Sequence, residues 1–234
     1  MNNVLLNNVD HKDLRVITRR AAAYGDDVKS ALTFPAEFRN VQACYPIVFQ
    51  KTADGKFQAI VLFGFQDKEN LFLGPDGWDA PYVPLTVERQ PFLIGFRDRE
   101  PMVHIDLASP RVSRTEGEAL FHEYGGSTEF LERMSSVLLT IHQGLEAVPA
   151  FIDALLQHDL LESFVLDVEL DDRSQHRLTG FYTINEERLG KLDAGALARL
   201  HKAGYLQATY MALASLSHFR DLIERRNRLN AARR

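Results

Sequence analysis

Residues 45–64 read YPIVFQKTADGKFQAIVLFG and decide the fold class. Two runs rich in β-branched and aromatic residues stand on either side of Asp54-Gly55. An Asp-Gly pair between two such runs is a strong hairpin signal, because Gly adopts a positive φ without steric cost. Pro46 cannot donate to a strand ladder, so it is expected at the start of a strand or on an edge. The pattern predicts an antiparallel hairpin.

Further short strands are predicted on the C-terminal side of this hairpin. Residues 71–73 form a short apolar run, and Gly74-Pro-Asp-Gly has the residues that a tight turn requires. Residues 92–96 and 101–107 are two more apolar runs, joined by a polar turn. We therefore expect residues 43–107 to form an antiparallel sheet with short loops.

The apolar period changes from two to about 3.6 residues after Ser127, which predicts helices. Ser127 or Thr128 can cap the first of them. Gly144 is expected to interrupt this helix, and Pro149 suits the first turn of a second helix that ends near Leu161.

A second hairpin is predicted for residues 164–184, with its turn at 171–174. Asp193 can cap a short helix, and a long helix is expected from about Tyr205 to Leu229. Small residues in the long helix permit close helix packing within the chain or across a homodimer. These are Ala212, Ala214, Ser215 and Ser217.

The fold class predicted from these patterns is α+β. A mainly antiparallel sheet comes from the strand-rich residues 43–107 and is extended by the 164–184 hairpin. Helices from residues 127–234 pack against it, and we expect one domain over residues 1–234.

Composition excludes several classes of protein. The formal net charge is -5, which does not suit nucleic-acid binding. No apolar run reaches the roughly 20 residues of a membrane helix, and the N-terminus has no secretory leader. The single cysteine, Cys44, lies in an apolar run and is expected to be a buried thiol in a reducing, cytoplasmic setting. We expect a protein or peptide partner, with a small ligand as the alternative.

Residues 70–96 contain the only Trp and four of the nine prolines. Two interpretations stay open for this stretch. In one, Trp78, Tyr82 and Phe92 plug the sheet, and Arg89 pairs with a carboxylate such as Asp79. In the other, Pro and Gly stiffen a recognition surface on which the same aromatics and the Arg89 guanidinium bind a ligand or partner.

The strongest candidate for chemistry is His104-Ile-Asp106. Residues two apart in a strand point the same way, so an imidazole and a carboxylate could share a metal. With a distant His they would form the 2-His-1-carboxylate set of an iron-dependent oxygenase. The candidate third ligands are His142, His158, His176 and His201. The alternative is a strand whose His and Asp face solvent or accept hydrogen bonds from turn donors.

No nucleophile elbow, phosphate loop or Cys pair is present, so the sequence favours a protein that is not an enzyme and leaves any cofactor unassigned.

Arginines are concentrated near the C-terminus. They are Arg220, Arg225, Arg226, Arg228, Arg233 and Arg234. Cations at the end of a helix complement its dipole. An anionic partner is the other interpretation.

Short pieces spread over most of the chain resemble the SapC family of bacterial proteins. They are Glu37-Phe38, Tyr45-Pro-Ile-Val-Phe, Asn70-Leu-Phe, Gly77-Trp78, Tyr82-Val-Pro, Arg89-Gln-Pro-Phe, Asp106, Leu120-Phe121, and Gly180-Phe-Tyr-Thr-Ile-Asn-Glu with Leu189. Where two basic residues are expected before the Pro-Phe pair, this chain has Glu88-Arg89-Gln90. The resemblance implies a non-enzymatic binding or accessory protein, associated with a paracrystalline surface layer or with outer-membrane uptake systems. It supplies no catalytic residues.

Overall fold

The computed structural model describes residues 2–98 and 100–232. The strands are β1 (Asn3–Leu5), β2 (Arg15–Val16), β3 (Ser30–Thr33), β4 (Ile47–Lys51), β5 (Phe57–Leu62), β6 (Leu73–Gly74), β7 (Gly77–Trp78), β8 (Phe92–Arg97), β9 (Glu100–Asp106), β10 (Val112–Ser113), β11 (Glu118–Ala119), β12 (Leu161–Glu169) and β13 (Gln175–Ile184). The helices are α1 (Phe38–Val41), α2 (Leu85–Glu88), α3 (Glu129–Gln157), α4 (Glu186–Gly190), α5 (Ala194–Lys202), α6 (Tyr205–Ser215) and α7 (His218–Ala232), with a 3-10 helix at Ala22–Tyr24.

These elements divide into two compact units. Unit 1 contains the chain up to Asp26, Leu73–Trp78 and Leu85–Gln143. Unit 2 contains Asp27–Phe72, Asp79–Pro84 and the chain from Gly144 onward. Antiparallel sheets and helices occur in both, so the predicted α+β class is confirmed.

Unit 2 is built on a five-stranded sheet in the order β12-β13-β4-β5-β3. The predicted hairpin of β4 and β5 is present, with Ile47 opposite Val61. The hairpin predicted for residues 164–184 also forms and joins this sheet, because Tyr182 of β13 pairs with Phe49 of β4. Both predictions are confirmed.

The prediction of one sheet over residues 43–107 is wrong in its second half. β8 and β9 form a separate three-stranded sheet with β1, in the order β1-β9-β8, in unit 1. This sheet includes a strand that the sequence pattern does not indicate: β1 pairs with β9, with Val4 opposite Ile105. The apolar face of this sheet packs on the first half of α3, where Phe92 and Ile105 are buried in one cluster with Leu131 and Leu138.

Helix α3 corrects the prediction of two helices. It begins after Thr128, which is one of the two predicted caps. The Thr128 Oγ1 accepts a hydrogen bond from the Leu131 amide at 3.3 Å. It then continues through Gly144 and Pro149 to Gln157. Pro149 costs the helix one hydrogen bond. Gly144 lies against the Phe34 ring, so tertiary packing accounts for this glycine rather than a helix end.

The predicted long C-terminal helix is instead two helices, α6 and α7. The hydroxyl of Ser215 donates to the Ala212 carbonyl at 2.6 Å and accepts from the Ile47 amide at 2.8 Å. A serine that reaches back to its own helix competes with continued helix formation. The break follows from this contact with β4. Helix α5 begins as predicted, because Asp193 accepts from the Ala196 amide at 2.7 Å.

Candidate functional site

Tyr82 is part of a hydrogen-bond network in unit 2. Its hydroxyl donates to Glu37 Oε1 at 3.0 Å, and Thr33 Oγ1 donates to Glu37 Oε2 at 2.7 Å. The Tyr82 carbonyl accepts from the Tyr45 hydroxyl. Glu37 is only 2% exposed, and a buried carboxylate requires such donors. The network therefore holds residues 79–84 on this unit.

Replacing Tyr82 by Phe removes one of these donors. We expect the free energy of unfolding to fall by about 1–3 kcal/mol, because a buried acceptor loses a hydrogen bond. Urea unfolding followed by Cys44 labelling measures this, since the only cysteine lies buried in unit 2 and burial raises the pKa of its thiol. Tyr210→Phe is the matched control, because Tyr210 is 50% exposed. Equal effects of the two substitutions would contradict the prediction.

Asp79 is bound by Arg225 in unit 2. Arg225 Nη1 lies 2.6 Å from Asp79 Oδ2, and its Nη2 donates to the Asp79 carbonyl at 3.1 Å. The guanidinium carbon also lies 4.3 Å from the centroid of the Phe72 ring. Asp79, one of the carboxylates suggested for Arg89, pairs with Arg225 instead.

Arg226 is likewise engaged inside unit 2, by Glu69. The other oxygen of Glu69 accepts from the Phe65 amide at 2.7 Å. Arg225 and Arg226 thus serve internal ion pairs rather than an anionic partner. Arg233 and Arg234 lie outside the described residues.

Arg89 and Phe92 come together in unit 1, on either side of a cis Gln90–Pro91 bond. Arg89 Nη1 donates to the Phe92 carbonyl at 2.6 Å, and the Phe92 amide donates to the Arg89 carbonyl at 2.8 Å. Among the described residues Arg89 makes no ion pair, and burial lowers the pKa of its guanidinium. The Phe92 side chain is 0% exposed. Arg89 therefore closes a turn at the start of β8.

Trp78 is half-buried in β7, where it pairs with Leu73 of β6 in unit 1. Of the four residues predicted to form a binding surface, Arg89 and Phe92 meet, Trp78 belongs to the same unit, and Tyr82 belongs to the other. The contacts of Tyr82 hold residues 79–84 in place, and those of Arg89 close the turn at the start of β8.

His104 and Asp106 lie two residues apart on β9, as the proposed iron site requires. Asp106 Oδ1 accepts from the amides of Asn2 at 2.7 Å and Ala108 at 3.1 Å, and the Asn2 amide lowers the pKa of this carboxyl. The His104 ring covers Gly95, where a Cβ would lie 2.4 Å from its Cε1.

The sequence offers four histidines as the third ligand of the proposed iron site. Within residues 2–98 and 100–232, no three His, Cys, Asp or Glu side chains gather closely enough to hold a metal ion. The iron site thus remains a prediction, and iron analysis of the purified protein against His104→Ala would test it.

A buried ion pair in unit 1 was not predicted. Arg111 Nη2 lies 2.6 Å from Asp26 Oδ1 and 2.5 Å from Oδ2, and the two side chains are 1% and 0% exposed. Arg111 Nη1 donates to the carbonyls of Ile17 and Arg19 at 2.9 and 3.0 Å. Arg20 contacts Asp26 at 3.2 Å. No sequence signal announces a pair 85 residues apart, and its contacts with backbone indicate a structural role.

An apolar cleft of about 230 Å³ lies in unit 1 between the β8–β9 hairpin and α3. It is lined by Ile94, Pro101, Met102, Val103, Ser135, Ser136, Leu138 and Leu139. None of these side chains titrates. The hydroxyls of Ser135 and Ser136 donate to carbonyls of their own helix at 2.9 and 3.1 Å. Beside the cleft Phe96 is 51% exposed, and Leu139 at its wall is 40% exposed. The cleft suits binding of apolar groups and contains no catalytic set.

The fold and this site define an α+β protein with an exposed apolar cleft. The sequence profile of the SapC family matches residues 6–222, which is nearly the whole chain. The chain belongs to the SapC family, as the resemblance indicated. No curated protein and no solved structure matches it. None of the helices in the described parts of the chain is long and apolar enough to cross a membrane.

Proposed function

We propose that this SapC-family protein is a non-enzymatic binding or accessory protein that holds an apolar peptide segment of a partner protein. The observation that carries the proposal is the exposed apolar cleft beside β8 and β9. Half-exposed Phe96 and Leu139 offer the partner apolar surface that binding would remove from water. The absence of titratable groups from the cleft's lining favours binding over catalysis.

The occupant is a peptide because a backbone acceptor stands at the edge of the cleft. β1 leaves β9 after the Leu6 amide donates to the Val103 carbonyl at 2.9 Å. In an antiparallel ladder the backbone groups of every second residue face the same neighbouring strand. The Pro101 carbonyl therefore faces the side of β9 on which β1 lies, beyond the end of β1. It has no hydrogen-bond partner in the described part of the chain. An amide of an extended peptide can donate to it while apolar side chains enter the cleft.

The charge around the cleft selects among such peptides. Glu132 lies one helical turn before Ser136 of the cleft, and Glu100 precedes Pro101 and lies opposite Arg97 of β8. Both carboxylates are exposed. A peptide that combines apolar residues with flanking Lys or Arg is therefore favoured. We also propose a role beside surface-layer or outer-membrane uptake systems, as the family resemblance implies. A cytoplasmic location is part of this proposal, and cell fractionation tests it.

Panning of a phage-displayed dodecapeptide library on the purified protein tests this function. We expect enriched peptides to be apolar with flanking basic residues. A synthetic copy of one, followed by fluorescence anisotropy, is expected to bind about tenfold more weakly to Leu139→Glu, since a charge in an apolar contact costs on the order of 1.4 kcal/mol or more.

Leu156→Glu is the matched control for this experiment. Leu156 lies on the same helix and is 45% exposed, but it is outside the cleft. Its substitution is expected to leave the affinity within about twofold, because surface changes away from a contact have small effects. Equal losses for the two variants, or no enrichment, would exclude the cleft as the binding site. A dimer in light scattering that Leu139→Glu dissociates would show that a second copy, rather than a partner peptide, occupies it.

A further inference from the structure

A second cavity, of about 210 Å³, lies in unit 2 against the five-stranded sheet, and residues of β3, β4, β5 and β13 contribute to its lining. Beside the cavity β13 contains Gly180, whose φ of +81° is left-handed and favours glycine, and the register of the β12–β13 ladder shifts there. After Gly180, β13 pairs with β4 through Phe181 and Tyr182. Before it, β13 pairs with β12 alone among the described strands, and the His176 ring stacks on Phe65 with centroids 5.8 Å apart.

The walls of the cavity are positively charged. Lys29 and Arg177 line it, and its lining contains no Asp or Glu. Each cation has one carboxylate neighbour outside the lining. Lys29 Nζ lies 2.5 Å from Asp67, and Arg177 Nε lies 3.4 Å from Asp167.

The ion pairs of Lys29 and Arg177 with these two carboxylates are weak. Asp67 and Asp167 are 85% and 70% exposed. Exposed ion pairs are worth about 0–1 kcal/mol, because water screens them. An anion that enters the cavity can therefore compete with Asp67 and Asp167 for the two side chains.

The remaining lining completes a binding site. The Ser30 and Thr179 hydroxyls and the Gln50 side-chain amide line the cavity, and in residues 2–98 and 100–232 these three side chains have no hydrogen-bond partner. Phe65 and Phe181 supply apolar walls. The cavity thus combines donors, positive charge and aromatic surface, which are the components of a site for a small amphiphilic anion.

We propose that this cavity binds a small organic acid, with its carboxylate at Lys29 and Arg177 and a compact apolar or aromatic body against Phe65 and Phe181. Its volume suits a ligand of about ten non-hydrogen atoms, since the pockets of larger ligands occupy about 300–1,000 Å³. The site is separate from the peptide cleft of unit 1. Leu139→Glu leaves it unchanged, so that either proposal can fail alone.

Phenylacetate is the probe, and phenylacetamide, with the same shape but no charge, is its control. In isothermal titration calorimetry we expect phenylacetate to bind with a millimolar dissociation constant, and phenylacetamide to bind at least about fivefold more weakly. Arg177→Gln and Lys29→Gln are each expected to weaken phenylacetate binding about fivefold or more. Thr179→Trp keeps both charges, fills the cavity and is expected to abolish binding.

Lys56→Gln removes an exposed lysine outside the cavity and is the matched charge control. It is expected to leave the affinity for phenylacetate within about twofold. Thermal unfolding of each variant establishes that it is folded. The proposal is overturned if phenylacetate does not bind the wild-type protein, if phenylacetamide binds equally well, or if Lys56→Gln weakens binding as much as Arg177→Gln.

Discussion

Arg111→Met is expected to lower the free energy of unfolding by about 3–5 kcal/mol. The substitution leaves the Asp26 carboxylate buried at 0% exposure without its bidentate partner. The carbonyls of Ile17 and Arg19 also lose a donor. A buried charge that loses its main partner regains much of its desolvation cost, which the nonpolar contacts of Met do not offset. Arg20 retains one contact with Asp26, and the Ala21 amide still donates to Asp26 Oδ2 at 2.8 Å, which keeps the loss within this range.

Urea unfolding followed by tryptophan fluorescence measures this loss where it occurs. Trp78 is the only tryptophan and lies in unit 1, as do Asp26 and Arg111. Arg114→Met is the control: Arg114 is exposed, and its replacement is expected to change stability by less than about 0.5 kcal/mol.

Asp26→Asn in the Arg111→Met background removes the buried charge that has lost Arg111. The double variant is therefore expected to be less destabilised than the sum of the single variants, because the two side chains interact directly. Additive losses would show that the pair does not act as an ion pair. A loss below about 1 kcal/mol for Arg111→Met would show that water reaches Asp26.

The sequence predicted local structure where a short pattern determines it. The β4–β5 hairpin follows from Asp54-Gly55, and Asp193 caps its helix as expected. It did not predict pairings between distant segments. β1 is three residues long and becomes a strand only because β9 lies beside it. Arg111 and Asp26 are residue types that usually lie on surfaces, so nothing in either segment indicates a buried pair.

The candidate site shows the same difference between local patterns, which the sequence predicts, and contacts between distant segments, which it does not. The composition of residues 70–96 marked them as unusual, but the partners of their side chains are not encoded locally. Asp79 meets Arg225, 146 residues away, while Arg89 contacts a carbonyl three residues along the chain. The apolar cleft has no motif at all. It arises where β9 extends beyond the end of β1, which is a consequence of tertiary structure.

Gly144→Ala is expected to destabilise the protein by about 1–3 kcal/mol, although Ala is the better helix former by about 1 kcal/mol. A Cβ at Gly144 would lie 2.2 Å from Cδ2 of Phe34, 2.4 Å from Cε2 and 2.5 Å from Cγ. The Phe34 ring is 1% exposed and has no room to retreat into solvent. Overpacking a close-packed interior forces side chains off their rotamers or shifts backbone, and this cost exceeds the gain in helix propensity.

Cys44 provides the measurement, because it lies buried in unit 2 with Gly144 and Phe34. Its rate of alkylation by iodoacetamide is expected to rise in Gly144→Ala, since opening of unit 2 exposes the thiol, and the urea midpoint monitored by labelling is expected to fall.

Gly190→Ala tests the same substitution at a helical glycine where a Cβ would meet nothing within 4 Å. It is expected to leave stability unchanged or raise it by up to about 1 kcal/mol. Phe34→Leu combined with Gly144→Ala is expected to cost less than the sum of the two single substitutions, since the smaller side chain relieves the overlap. If Gly144→Ala instead stabilised the protein as Gly190→Ala does, helix propensity rather than the Phe34 contact would govern this position, and the continuity of α3 would need another cause.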